Sequence, residues 1–317
     1  MKIFIAGASG TLGMPLVREL IKRKHEVYGL TRSGDKKVLL EIMGAKVVVA
    51  DALKADEIKQ AMQSVKPDCV VNLLTAIPKN GAMRAADLKA TNLLRVKGTQ
   101  NLLAAAIAAG AKRFVAESMI FVYGLTHTDN KLLTEQFELS TREEKAWLQE
   151  IVDAIRSLEA QISKADKEGL IESTALRYGL LYGSESPSTR YMFDMLKKRF
   201  LPTASGAKGI TAFVHLDDAV SATVAAIERE KVAAVYNVVD DEPVKMNDWI
   251  TYAAEVLKAK KPFSMPVWLL GLLSPFTATI LNARVAVSND KAKRELGWQL
   301  KYPDYRQGLR QAALLGK

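Results

Sequence analysis

The chain has 317 residues, 49% of them hydrophobic and 25% charged, with a mean hydropathy near zero, a composition that supports a large buried core and excludes disordered and collagen-like chains. Its one cysteine, Cys69, can form no internal disulfide and no Cys/His cluster suggests a metal, so a reducing, cytoplasmic setting and no bound metal are expected. The net charge of +10 admits nucleic acid, membrane surfaces and phosphorylated ligands, but the basic groups (Lys22-Arg23-Lys24, Lys36-Lys37, Lys197-Lys198-Arg199 and 258–261) are scattered near helix ends without interleaved aromatics, which argues for solvated surface and against nucleic acid.

In chain order, the first apolar run, 3–6, starts too early to leave room for a secretory signal. Further runs at 27–31, 47–50, 69–74, 113–116, 171–176 and 235–239 read as buried parallel strands. Helical spacing separates them: Leu12, Leu16, Leu20 and Ile21 mark the first helix, and 83–110 reads as a long one closed by Gly110. Such a βαβ series predicts an α/β fold, a doubly wound parallel sheet whose ligand lies beyond the carboxyl ends of its strands. After about residue 178 the pattern loosens. We expect 1–178 with 211–240 to form the sheet domain, and 179–210 with 241–317 a smaller substrate lobe. The apolar stretch 265–281 is broken by Pro266 and Pro275, so a buried helix pair or pocket wall is expected there and no integral membrane span, with peripheral membrane contact the lesser alternative.

Gly7, Gly10 and Gly13 follow the first strand and open the first helix, with Ser9, Thr11 and Leu12 between them. Backbone amides can approach a pyrophosphate there without a Cβ in the way, as in a dinucleotide-binding Rossmann fold. An NAD site wants a carboxylate at the end of the second strand. This chain has Thr31, Arg32 and Ser33, donors suited to a 2′-phosphate, so NADP(H) is favoured over NAD(H). Asp51, followed by Ala52, either touches the adenine or caps the helix near Lys54, and Leu74, Thr75 and Ala76 after the fourth strand should wall the cofactor.

Together with Arg113 to Ser118, Leu176-Arg-Tyr-Gly-Leu-Leu-Tyr-Gly183, Phe213-Val-His-Leu-Asp-Asp218 and Glu295-Leu-Gly-Trp298, these stretches resemble the NAD-dependent epimerase/dehydratase family of extended short-chain dehydrogenases/reductases. The resemblance implies a seven-stranded NAD(P)-binding Rossmann domain, a C-terminal substrate lobe and a homodimer through helices near 83–110 and 143–168. It also implies catalysis by a Tyr-x-x-x-Lys pair with a serine, which Ser118 matches, and an asparagine. None of the nine tyrosines precedes a lysine by four positions. Aligning on Glu159 and Arg177 puts Ile151 and Ile155 where tyrosine and lysine belong, and Arg95 where the asparagine belongs. Ile151, Ile155, Leu158 and Ile162 form an apolar stripe at helical spacing, a packing face. The chain is thus identified as an atypical member. Gly179, Leu180 and Leu181 replace an asparagine common in sugar-nucleotide enzymes, which points to a more apolar small-molecule substrate.

The remaining candidates for proton handling are Ser118, Tyr123, His127 and Tyr178, with Ser118 and Tyr178 also beside the cofactor; Tyr182, His25 and His215 read as structural. The resulting expectation is an NADPH-dependent oxidoreductase that reduces an apolar carbonyl or enone. Two alternatives stay open: a catalytically inactive NADP-binding regulator or assembly factor, and a nucleotide-sugar epimerase/dehydratase.

Overall fold

A computed structural model describes residues 1–32, 34–127 and 131–315. Its first half runs β1 (Lys2–Ala6), α1 (Gly13–Lys22), β2 (Glu26–Thr31), α2 (Gly34–Ile42), β3 (Lys46–Val49), α3 (Ala55–Val65), β4 (Cys69–Asn72), α4 (Lys89–Leu93), α5 (Thr99–Ala108), β5 (Arg113–Met119), α6 (Ala146–Lys167) and β6 (Glu172–Tyr178). The second half runs β7 (Leu180–Tyr182), α7 (Pro187–Lys197), β8 (Thr203–Ser205), β9 (Ile210–Thr211), β10 (Phe213–His215), α8 (Leu216–Glu228), β11 (Val235–Val238), β12 (Val244–Lys245), α9 (Met246–Val256), β13 (Ser264–Pro266), α10 (Val267–Leu273), α11 (Pro275–Leu281), β14 (Arg284–Val285), α12 (Asp290–Leu296) and α13 (Tyr305–Leu315).

Seven strands form one parallel sheet in the order β11-β6-β5-β4-β1-β2-β3, as the apolar runs predict, and the order reverses between β1 and β4. Alternate side chains feed two cores. Ile3, Ile5, Val71 and Val115 pack beneath α1 and α8, while Phe4, Val70, Phe114 and Ala116 pack against α3, α5 and α6. Each fully buried Ile or Phe side chain contributes about 1.5–3 kcal/mol, so the sheet is rigid enough to aim the loops at its carboxyl edge.

The helix expected over 83–110 runs without a gap from Ala85 to Ala108 but changes pitch twice. A short 3-10 turn at Ala85–Leu88 precedes α4, and Leu94–Gly98 forms a π-helical turn before α5. The bulge presents the Val96 carbonyl to Gln161 Nε2 on α6, and such turns often mark functional positions.

The remaining strands pair in small sets, β7 with β10, β8 with β13, and β9 with β12 and β14. They enclose a core in which Phe213 stacks on Trp249 with ring centroids 5.0 Å apart. Ala292, Leu296 and Trp298 pack with the sheet core although they lie in the stretch expected for the lobe. Residues 265–281 do form a helix pair, α10 and α11, but only one side of it is buried. Leu270, Ala278 and Leu281 turn inward, whereas Trp268, Leu272 and Leu273 are 67%, 75% and 68% exposed. Among the described residues, no helix is long and apolar enough to cross a membrane.

Candidate functional site

The loop between β1 and α1 is shaped by three glycines. Gly7 has φ +90°, and a Cβ there would meet the Leu73 carbonyl oxygen at 2.4 Å; one on Gly13 would meet the Gly7 carbonyl oxygen at 2.2 Å. Gly10 closes the turn by donating its N–H to the Gly7 carbonyl. Leu12, at the N-cap of α1, offers no side-chain cap and the first turn carries no acidic residue, so the helix start is left for an anion.

Above this loop opens a cavity of about 430 Å³, at the carboxyl edge of the sheet where the strand order reverses. Gly7, Ser9, Gly10, Thr31, Arg32, Lys36, Asp51, Ala52, Leu74 and Thr75 line it. Thr11 is exposed in the loop, Leu12 and Gly13 are buried behind it, and the Ala76 N–H is tied to Thr91 Oγ1. Ser33 lies outside the described residues. Arg32 and Lys36 are exposed, and neither joins a carboxylate among the described residues. Asp51 does not cap α3: its carboxylate accepts from the Leu53 N–H, and Lys54 occupies the N-cap.

The proton-handling candidates lie elsewhere along the same edge, and each is committed to a protein partner. Ser118 donates to Glu159 Oε1, and Arg177 clamps the same carboxylate through Nε at 2.8 Å and Nη2 at 2.6 Å. Tyr123 accepts from Arg177 Nη1 and donates to Asn237 Oδ1, and burial pushes its hydroxyl up to about 12. His127 Nε2 lies 2.8 Å from the Tyr123 carbonyl oxygen. Tyr178 bonds Thr223 Oγ1, which itself donates to Ala219, and burial raises the Tyr178 pKa above the usual phenol range. Where the family pair is expected, Ile151 and Ile155 are buried in α6 against Val122, Val239 and their neighbours. Tyr182, His25 and His215 pack or pair structurally: His215 bonds Gln311, His25 bonds Glu228, and Tyr182 stands edge-on to Phe213.

One group went unnoticed in the sequence reading. Glu117, immediately before Ser118 on β5, has a carboxyl that burial pushes up to about 7, with Arg95 of the π-helical turn the opposing cation. Arg95 is itself buried, follows the cavity-lining Leu94, and makes no hydrogen bond or ion pair among the described residues. The readable signal was an acid directly after the apolar run Phe114-Val115-Ala116 and still on the strand, a residue that charge and spacing alone did not single out. Among the described residues, no group of His, Cys, Asp or Glu is arranged to hold a metal.

A dinucleotide would fit what is present: a glycine cradle that a Cβ on Gly7 or Gly13 would block, a helix start without its own anion, and two cations, Arg32 just after β2 and Lys36 in α2, that meet no carboxylate among the described residues. Residues 3–239 match the NAD dependent epimerase/dehydratase family. The chain is 35% identical over 98% of its length to a 3-diazoavenalumate denitrifying reductase from a Streptomyces species, covering 99% of that protein. It is 32% identical, over 38% of its length and 34% of the relative's, to the photosystem II assembly factor Ycf39 of Synechocystis. Its fold superposes with a TM-score of 0.80 on the UDP-glucose 4-epimerase of Thermus thermophilus in complex with NAD, at 18% identity over 99% of this chain and 98% of that one. By sequence, fold and the geometry of its glycine loop, the chain belongs to the NAD dependent epimerase/dehydratase family.

Proposed function

We propose that this chain is an NADPH-dependent reductase of a small molecule with a largely apolar body, working without a Tyr-Lys pair. The observation that carries this reading is the cavity end formed by Arg32 and Lys36, where a 2′-phosphate finds a planar guanidinium and an ammonium and NAD finds no carboxylate. The reductase activity of the Streptomyces relative, which covers nearly the whole chain, supports the reaction class.

The cofactor, when bound, supplies the hydride. The chain's own residues do the rest. The loop amides and the α1 start hold the pyrophosphate, Arg32 and Lys36 the 2′-phosphate, and Leu74 and Thr75 wall the dinucleotide. Reduction of a carbonyl adds hydride at carbon and a proton at oxygen. We assign that proton to Glu117, half-buried beside Ser118 on β5, whose carboxyl burial pushes up, whereas Ser118, Tyr123 and Tyr178 are bound into the protein. NADPH consumption against a panel of apolar ketones, aldehydes and enones tests the reading. We expect turnover on at least one of them, and a fall of about 10²- to 10⁴-fold in Glu117→Gln.

A second reading, a cofactor-binding assembly factor, is favoured by the purely apolar α6 face at Ile151 and Ile155 and by the partial likeness to Ycf39. Tight NADPH binding with no consumption on any substrate would select it.

A further inference from the structure

Cations that the sequence scatters are gathered by the fold. Neither 195–210 nor 256–282 contains an Asp or Glu, and the parallel pairing of β8 with β13, Thr203 opposite Ser264, sets the two stretches side by side. Helix α7 packs on α9, and each ends shortly before one of these strands. Lys197, Lys198 and Arg199 therefore come to the same end of the strand pair as Lys258, Lys260 and Lys261. All six are exposed, and none joins an ion pair among the described residues.

Large apolar side chains accompany them. Phe200 is 65% exposed beside the first basic run and Phe263 flanks the second. At the other end of β13, α10 begins, with Trp268 and Leu272 on one face at i, i+4 and Leu273 beside them, all exposed. The Lys208 N–H donates to Asn282 Oδ1, which ties the end of α11, and one more cation, into the same surface.

Exposed Trp and Leu on a short, wholly apolar helix, with Lys and Arg gathered at the opposite end of the three-residue strand that leads into it, match the chemistry of a bilayer interface: apolar groups enter the acyl boundary, Trp sits at headgroup level, and cations meet anionic lipid. A second copy of the chain fits poorly, because a two-fold contact through this face would press the same cations together. We propose that α10 and α11, with the two flanking basic runs, dock this protein on the surface of an anionic lipid bilayer, lying in the interface without crossing it. The inference goes beyond the reductase reading and does not depend on turnover.

The test is co-sedimentation of the full chain with vesicles of phosphatidylcholine alone or with roughly one third phosphatidylglycerol, at low and physiological salt. The expected result is binding to the phosphatidylglycerol vesicles, weakened by salt, with little binding to phosphatidylcholine. A blue shift of tryptophan emission, carried chiefly by Trp268, should accompany it, since Trp249 and Trp298 are already buried and Trp147 is half-buried against Phe276 of α11. Trp268→Ser with Leu272→Ser, both at exposed positions, should keep the thermal midpoint and lower partition at least about tenfold. Replacing Lys197, Lys198, Lys260 and Lys261 by Gln should flatten the salt dependence. Three outcomes would overturn the proposal: no binding to anionic vesicles at low salt, binding that the Trp268/Leu272 variant leaves unchanged, or a dimer in solution that this variant dissolves while vesicles bind neither form.

Discussion

Asp240 is a buried carboxylate whose two oxygens have no partner among the described residues. Burial is the first cause holding its pKa well above the ordinary range, with Asp241, Glu242 and Asp304 adding to it. An unfolded Asp ionises near about 3.9, so above that pH the folded chain keeps a proton the unfolded chain has lost. The folded pKa is raised, hence stability falls as pH climbs beyond the usual carboxylate range. Asp240→Asn, which keeps shape without charge, should gain ~1–3 kcal/mol at pH 8 and nothing at pH 4 by calorimetry; a variant less stable at pH 8 would refute this account of the site. Cys69 behaves similarly as a group that the fold neutralises. Burial pushes its thiol up to about 12, so iodoacetamide should label it only after unfolding. At this scale the sequence was least informative. That Ser118 faces Glu159 while its neighbour Glu117 faces Arg95 depends on strand register and on the π-helical turn, neither of which apolar periodicity encodes.

Among the elements, two joints hold the site in place. The first is the β1–α1 loop. Gly13→Ala would drive a methyl into the backbone of Gly7 and Ala8, so the loop must open. We expect a loss of about 1–3 kcal/mol in stability and of measurable dinucleotide binding, read by thermal shift with and without NADPH. The second joins α6 to β5 and β6 through Glu159, Ser118 and Arg177. Glu159→Ala leaves a buried guanidinium without its counter-ion and should cost about 3–5 kcal/mol in denaturant unfolding, whereas an exposed pair such as Lys164–Glu168 should cost under about 1. All seven sheet strands and the glycine loop were legible in the sequence, because each is a continuous apolar run or a spacing of glycines that sterics demand. The π-helical turn between α4 and α5 was not. Its Val96 carbonyl accepts from Gln161, some sixty residues away, a long-range contact that local spacing does not encode.

For the whole molecule, the parallel sheet fixes a cavity at its reversal point, lined mainly by residues of its first four strands and the loops that follow them. Composition and net charge indicated a globular protein with an excess of cations but not their arrangement: pairing of β8 with β13 concentrates them, and the exposed side of α10 departs from the buried helix pair expected for 265–281. The central claim is that the cation-bearing end of this cavity selects the phosphorylated cofactor. Dissociation constants for NADPH and NADH, measured by titration on the wild-type chain and on Arg32→Ala, test it most directly. The account predicts that wild type holds NADPH at least about tenfold more tightly, and that Arg32→Ala erases the preference by weakening NADPH about 10- to 100-fold while leaving NADH nearly unchanged. Equal or tighter binding of NADH by the wild-type chain would contradict it.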